Sequence, residues 1–404
     1  MNTPFIIKLT VEDSNIDLIN EDIKFSTNTC LPLCSLGYQN FLVRTKNYMN
    51  ITKNFDTDND FYYVVNPYEI SITNSDESLK DLIKQYLIED IYIDITFFKI
   101  WEILFIFDIL KKEECVYALF SNNTNGIIQS IINYKKYFKL DFSKDKIYNV
   151  SEEKNLISSK NIINHRGKNE ITNMKIINSF LKEIDKTNRK ADVIIADCGF
   201  ETYNSIEPEM YNILLSEIIM ALKCQNINGN FILKVFETFT LPTIKIIYFI
   251  CELYESVHIY KPYYSRPTLS EKYIIFKNFK NNSNLYSKIH FLEEILLKIN
   301  ESKLNMYDIW SDLKLSQEYI NKFTYINTKI ANAQQIMIND IINYIKDNNY
   351  FGDKYHMYKE KQINATKLWI DIFILNKEQF DINKYINMYD AYYNNFIANL
   401  VKVI

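Results

Sequence analysis

Residues 190–199 read KADVIIADCG. Val193 to Ala196 are four consecutive apolar residues that stop at an acid and a glycine, so they form a strand buried on both faces with a tight exit at Asp197 to Gly199. Working outward, Met174 to Ile184 reads as a helix on one side, and Glu209 to Cys224 as an amphipathic helix on the other. That second helix leads to an Asn228-Gly229 turn and the strand FILKVF, Phe231 to Phe236. Thr243 to Tyr254 is another helix, and Val257 to Tyr260 and Tyr273 to Phe276 are a last pair of strands. The connection from Lys261 to Ser270 is too short for a crossover helix, so the last strand is expected antiparallel to its predecessor.

Upstream, Phe97, Ile100, Trp101, Leu104 and Leu110 fall near helical spacing between Thr96 and Leu110. Cys115 to Phe120 is a strand, Ser121 to Gly126 a polar turn, and a helical run follows from Ile127. Tyr137 to Leu140 is the candidate second strand and Asn161 to Asn164 the candidate third. Strands alternating with helices imply an α/β fold, a mostly parallel sheet with helices on both faces. From about Asn281 strands give way to helical patterns at Leu292 to Ile299, Ser316 to Phe323, Asn332 to Ile345 and Ala365 to Ile374. The expected division is an N-terminal segment at 1–90, the α/β domain at 91–280 and an α-helical extension at 281–404.

Composition narrows the class. Of 404 residues 47% are hydrophobic and only 6 are glycine, which excludes a disordered or collagen-like chain. A net charge of −4 provides no global field for nucleic acid, leaving only local basic patches. The start lacks a secretory leader, and the most apolar stretches are broken by Lys99, Glu102, Asp108 and Lys245, so a soluble intracellular protein of cytoplasm or nucleus, with no membrane, is expected. Six cysteines in such a chain are expected as thiols, and Cys30 and Cys34 lack nearby paired histidines, so no metal is expected.

In an open α/β sheet ligands bind beyond the carboxyl ends of the strands. Asp197 ends one strand there, Lys234 lies inside another among apolar neighbours, Glu271 opens the last strand after SRPTLS, and Lys99 comes from the helix before the first strand. Each alone has a bland reading as a cap, surface or snorkelling residue. Their joint occurrence at equivalent ends of one sheet points to a site.

The segments GKNEITN, RKADVIIADCGFE, NGNFILKVFETFT and YKPYYSRPTLSEKYIIFKN, in this order, resemble the FtsJ-like ribose 2′-O-methyltransferases, specifically the mRNA cap 2′-O-methyltransferases of eukaryotes and large cytoplasmic DNA viruses. ITFFKIWEIL and, more weakly, YKEKQINATKLWI continue the resemblance. It implies a Rossmann-like methyltransferase sheet, S-adenosyl-L-methionine as methyl donor, capped RNA as partner, other capping or transcription subunits as further candidates, and a catalytic tetrad of Lys99, Asp197, Lys234 and Glu271.

For the donor, the resemblance points to Ser121, Asn123, Asn125, Gly126, Asp141, Glu170 and Asp197. The loop SNNTNG has asparagine at 123 and 125 where the family has glycine, and asparagine tolerates left-handed backbone, so the turn either survives or is broken. Asp141 is either the acid for the donor's ribose hydroxyls or a solvated loop carboxylate. Lys261 and Arg266, beside Tyr260, Tyr263 and Tyr264, either meet RNA or pack internally. The function implied is methyl transfer to the ribose 2′-hydroxyl of the first nucleotide of capped mRNA. The alternative is a catalytically inert RNA-binding or assembly subunit with an eroded donor loop.

Overall fold

Side chains alternate cleanly across the central strands. Val116, Ala118 and Phe120 enter one buried cluster, and Tyr117 and Leu119 enter the other. A strand of period two can do this only if both faces of its sheet are covered. The structure is a computed structural model that describes residues 4–11, 20–27, 43–54, 61–69, 77–87, 93–110, 113–153, 156–157, 159–165, 171–186, 188–199, 207–280, 285–301, 304–347, 352–376 and 380–401.

Ten strands are described: β1 Phe5–Leu9, β2 Ile23–Ser26, β3 Val116–Ser121, β4 Lys146–Ser151, β5 Ile162–His165, β6 Ala191–Asp197, β7 Gln225–Val235, β8 Tyr254–Lys261, β9 Lys272–Phe279 and β10 Asn305–Ile309. Eight form one sheet in the order β1-β8-β9-β7-β6-β3-β4-β5. The run β5-β4-β3-β6-β7 is parallel. β9 slots between β7 and β8, antiparallel to both, as the short connection between β8 and β9 required.

The helices are α1 Glu77–Lys84, α2 Ile95–Ile106, α3 Asn125–Tyr137, α4 Met174–Asp185, α5 Tyr211–Cys224, α6 Leu241–Glu252, α7 Leu285–Glu301, α8 Gln317–Lys346, α9 Asp353–Ile370 and α10 Ile382–Val401. One face of the sheet packs against α4, α5, α6, α7 and α8, and the other against α2, α3 and the end of α9. The chain leaves β3 outward to β4 and β5, then crosses back to β6. Strand order therefore reverses between β3 and β6, and their exits diverge into a crevice.

Three elements depart from expectation. Tyr137 to Leu140 is the end of α3, not a strand. Lys139 takes a left-handed backbone (φ 56°), Leu140 N–H bonds Lys135 O at 2.7 Å, and Lys139 N–H bonds Lys136 O at 3.1 Å. That is a Schellman stop, whose apolar residue after the cap looks like the start of a strand. The second strand comes later, at β4. Strands also recur after residue 281, because β10 pairs antiparallel with β2 in a separate two-stranded sheet. Finally, β1 joins the main sheet antiparallel to β8, and Phe5, Ile7 and Leu9 share a core with Ile274 of β9 and Phe323 of α8.

Candidate active site

Two buried ion pairs stand at the carboxyl end of the sheet. Lys99, in the second turn of α2, lies 2.6 Å from Glu271 Oε1, and Lys234, near the end of β7, lies 3.3 Å from Asp197 Oδ1. Lys234 Nζ also donates to Asp197 O at 2.8 Å and Gly199 O at 3.0 Å. The turn that ends β6 thus wraps its carbonyls around the ammonium. Gly199 adopts φ +76°, a conformation costly for any side-chain-bearing residue, and this aims its carbonyl at Lys234.

The four groups control one another's charge. Burial works against the charged form of Lys234, but Asp197 and Glu271 outweigh it and hold the ammonium above the ordinary lysine pKa. The lysine is thus protonated at rest. Burial likewise opposes ionisation of Glu271, yet the charges of Lys99 and Lys234 overcome it and bring the carboxyl down to about 2. All four side chains are largely withdrawn from solvent, where such pairing is strongest.

Supporting residues surround the tetrad. The Tyr273 hydroxyl donates to Asp197 Oδ1 at 2.7 Å, and Ser265 Oγ donates to Glu271 Oε1 at 2.9 Å. Asp94 caps α2 by accepting the Phe97 N–H at 2.8 Å, which fixes the helix that carries Lys99. Glu102 is fully buried and accepts from the Tyr260 hydroxyl, Tyr263 N–H at 2.8 Å and Trp369 Nε1 at 3.0 Å. It fastens α9 and the loop before Glu271 to α2. The roles of Tyr273 and Glu102 leave no local mark in the sequence, because their partners lie far away along the chain.

The basic residues expected to meet RNA are placed otherwise. Lys261 is buried and turns inward, donating to Ser265 Oγ at 3.2 Å, Leu269 O at 3.0 Å and Glu271 O at 2.7 Å. It clamps the loop that presents Glu271. Arg266 pairs with Glu69 at 2.7 Å and lies 4.0 Å from the Tyr63 ring, tying the N-terminal residues to the same loop. Tyr260, Tyr263 and Tyr264 are buried, which is the packing alternative.

The crevice between β3, β4 and β6 holds a cavity of about 210 Å³. Val150, Ile171 and Ile213 give it apolar walls, and Ser121, Ser151 and Glu152 line it with polar groups. An apolar slot beside a carboxylate at a strand's carboxyl end suits a planar base joined to a hydroxyl-bearing sugar. Ser121 Oγ donates to Asn123 O at 3.1 Å and lies 3.4 Å from Asp197 Oδ2, so the loop after β3 touches the cluster of four charged side chains directly.

Asparagine replaces glycine here through its side chains. Asn123 Oδ1 accepts the Asn125 N–H at 2.9 Å, and buried Asn125 accepts the Leu156 N–H at 2.8 Å. Neither is among the described residues with positive φ, so the left-handed tolerance expected of them is not used. Gly126 is constrained by space instead: a Cβ there would lie 2.0 Å from Asp94 Oδ1.

Asp141 does not reach this crevice. It lies before β4, at the opposite end of that strand, and its carboxylate accepts from Ser143 N–H at 2.8 Å and Ser143 Oγ at 2.9 Å. It is the loop carboxylate of the two alternatives, and the donor alternative rested on the misplaced second strand. The acids that follow the true strand are Glu152 and Glu153, which accept from Asn122 Nδ2 at 2.9 Å and Asn123 Nδ2 at 2.7 Å. Glu170, Cys30 and Cys34 lie outside the described residues. Among the described residues no cluster of three or more His, Cys, Asp or Glu is placed to hold a metal, and no helix is long and apolar enough to cross a membrane. Cys115, Cys198, Cys224 and Cys251 are buried free thiols.

Comparison with known proteins agrees with this geometry. Residues 97–279 match the model of the FtsJ-like methyltransferase family. An uncharacterized protein of Acanthamoeba polyphaga mimivirus is 25% identical over 69% of this chain and 66% of its own length. The cap-specific mRNA (nucleoside-2'-O-)-methyltransferase 1 of Dictyostelium discoideum is 34% identical over 29% of this chain and 16% of the enzyme. This chain therefore covers less than two thirds of either relative. Among solved structures, a putative ribosomal RNA methyltransferase from Plasmodium falciparum aligns at 18% identity and TM-score 0.39, over 47% of this chain and 100% of that one. The stretch that matches the FtsJ-like methyltransferase model, residues 97–279, carries both ion pairs and the crevice beside them.

Proposed function

We propose that this protein transfers a methyl group from S-adenosylmethionine to the ribose 2′-hydroxyl of the first nucleotide of capped mRNA. The observation that carries the reading is the Lys234 ammonium, held by the Asp197 to Gly199 turn and paired with Asp197, directly beside the crevice. The similarity to cap-specific enzymes supports the choice of substrate. On this reading residues 91–280 are the catalytic domain, and residues 1–90 and 281–404 brace it.

A bound donor supplies a methyl carbon on positively charged sulfur, open to in-line displacement. The rest falls to the chain. Val150, Ile171 and Ile213, which line the crevice, would pack the donor's base, and Glu152 would accept from its sugar hydroxyls. Asp197, fixed by Tyr273, would hold the donor's cationic end. Lys234 as the neutral amine accepts the 2′-hydroxyl's proton and aligns its oxygen, while Lys99 and Glu271 hold the ribose side. Because resting Lys234 is charged, it must lose a proton before it can serve as the base, and a second positive charge bound near Asp197 favours that loss.

A second reading, an inert RNA-binding subunit, draws on Asn122. Its side chain spans the crevice, donating to Glu152 and accepting the Gly199 N–H at 2.8 Å. Calorimetry with S-adenosylmethionine separates the two. Saturable binding, with labelled methyl appearing on capped RNA, supports the enzyme; capped-RNA binding without either supports the inert subunit.

A further inference from the structure

A second cavity, of about 830 Å³, lies at the other end of the sheet from the ion pairs, between the first half of β8, the carboxyl end of α2 and the start of α10. It is open to solvent, and one of its walls is cationic. Lys8 of β1 and His258 of β8 are cross-strand partners, and Lys277 of β9 stands opposite Ser256, two residues before His258. All of them share the face that carries α2 and α3, because Ile6, Tyr260 and Ile275, two residues away on each strand, enter the buried cluster of that face. Lys8 is exposed, and Lys277 is half-buried and donates to Phe107 O, where α2 ends, at 2.7 Å.

His258 is only 7% exposed, yet its Nδ1 finds no hydrogen-bond partner among the described residues. No internal bond through Nδ1 fixes its tautomer, so the ring's proton is available to a ligand in the cavity it lines. Burial, then Lys8 and Lys277, hold this imidazole down at about 4, and no described carboxylate offsets them. The cavity's acids come from other elements: Asp390 from α10, and Asp108 from the turn after α2, where burial and then Asp108 raise the Tyr134 phenol of α3. Like charges set side by side across a sheet repel, and an anion among them relieves that repulsion.

The remaining walls suit the rest of a nucleotide. Phe105 of α2 meets Phe138 and Phe380 with ring centres 6.2 Å apart in each case, an aromatic wall for a base. Asn383 and Asn387, exposed and one turn apart on α10, carry amides that both donate and accept. We propose that this cavity binds a ribonucleoside 5′-monophosphate, with its phosphate among Lys8, His258 and Lys277 and its base against the phenylalanine rings. Asp108 and Asp390 can accept from its sugar hydroxyls but would repel the further phosphates of an RNA strand. The site is separate from the methyl-transfer centre and stands whether or not that reading holds.

The test adds AMP, GMP, CMP and UMP to the full chain carrying isotope-labelled histidine and follows the four imidazoles by NMR, with His258→Gln assigning the signal. The expected result is saturable movement of the His258 signal by at least one nucleotide, with its pKa raised by about one unit or more, since a neighbouring phosphate favours the imidazolium. Lys8→Glu, at an exposed side chain, is expected to weaken that binding by at least about 10-fold, and the matching nucleoside and inorganic phosphate are each expected to bind at least about 10-fold more weakly. No movement of His258 with any of the four overturns the proposal, as does undiminished binding by Lys8→Glu or by inorganic phosphate alone. Movement of His165 instead, at the carboxyl end of β5, would put the nucleotide at the crevice end of the sheet and also overturns it. Tighter binding of a short oligoribonucleotide at His258 would make the cavity part of an RNA surface and overturns the mononucleotide assignment.

Discussion

Tyr273 and Lys234 are cross-strand partners on β9 and β7, and both reach Asp197 Oδ1, the hydroxyl at 2.7 Å and the ammonium at 3.3 Å. The carboxylate is held between a neutral donor and a charged one. Tyr273→Phe removes the neutral donor without opening space. The expected result is a loss of about 1.5–3 kcal/mol in unfolding free energy for the lost hydrogen bond to a charged carboxylate, with a lowered kcat as Asp197 swings. Urea unfolding and methyl-transfer rates check it, and an unchanged protein by both measures contradicts it.

Gly126→Ala tests a contact between the donor loop and α2. The new Cβ would fall 2.0 Å from Asp94 Oδ1, so the carboxylate that caps the helix must move. Loss of the cap costs about 1 kcal/mol and loosens the turn before Lys99. The expected outcome is a lower melting temperature together with reduced methyl transfer.

Glu152→Ala is expected to weaken S-adenosylmethionine binding by about 10- to 100-fold, the loss of charge-assisted hydrogen bonds to a diol. Asp141→Ala is expected to leave binding unchanged. Calorimetry on the two variants checks both, and the reverse pattern would return the ribose role to Asp141.

The gathering of Lys99, Asp197, Lys234 and Glu271 at one end of the sheet is legible because strand ends are legible: an acid closing VIIA and a lysine inside FILKVF stand out against apolar neighbours. Asp141 enters as a donor candidate because the apolar cap of α3 imitates a strand, and a Schellman stop is distinguished by backbone conformation that residue types only hint at. β2 and β10 escaped notice because each is short and gains its partner from nearly 300 residues away. Lys261 carried the composition of a phosphate ligand, but burial turned it into a clamp. Glu102, Glu217 and Tyr273 were invisible for a related reason. A buried polar residue declares itself only through partners brought by the fold.

Buried carboxyls also fix how stability varies with pH. Burial raises Glu102 and Glu207 to about 7 and Glu217 to about 8, against an ordinary 4.5. The folded state then binds more protons than the unfolded one, so their contribution is full at acid pH and lost as pH rises through these values. His258 acts oppositely, since burial lowers it from 6.5 to about 4 and its contribution disappears as pH falls through that window. Above about 6.5 the carboxyls act without that opposition. The midpoint of thermal unfolding is therefore expected to fall between about pH 6.5 and 8 at constant ionic strength. A rising midpoint contradicts these assignments.

The most direct test of the account is transfer of labelled methyl to capped RNA, beside the same RNA carrying a 2′-deoxyribose at its first nucleotide, by wild type and Lys234→Ala. The account predicts label on the ribose 2′-oxygen of the first RNA only, and a loss of at least about 10³-fold in the folded, donor-binding variant. Equal labelling of both RNAs, or wild-type activity in the variant, would contradict it.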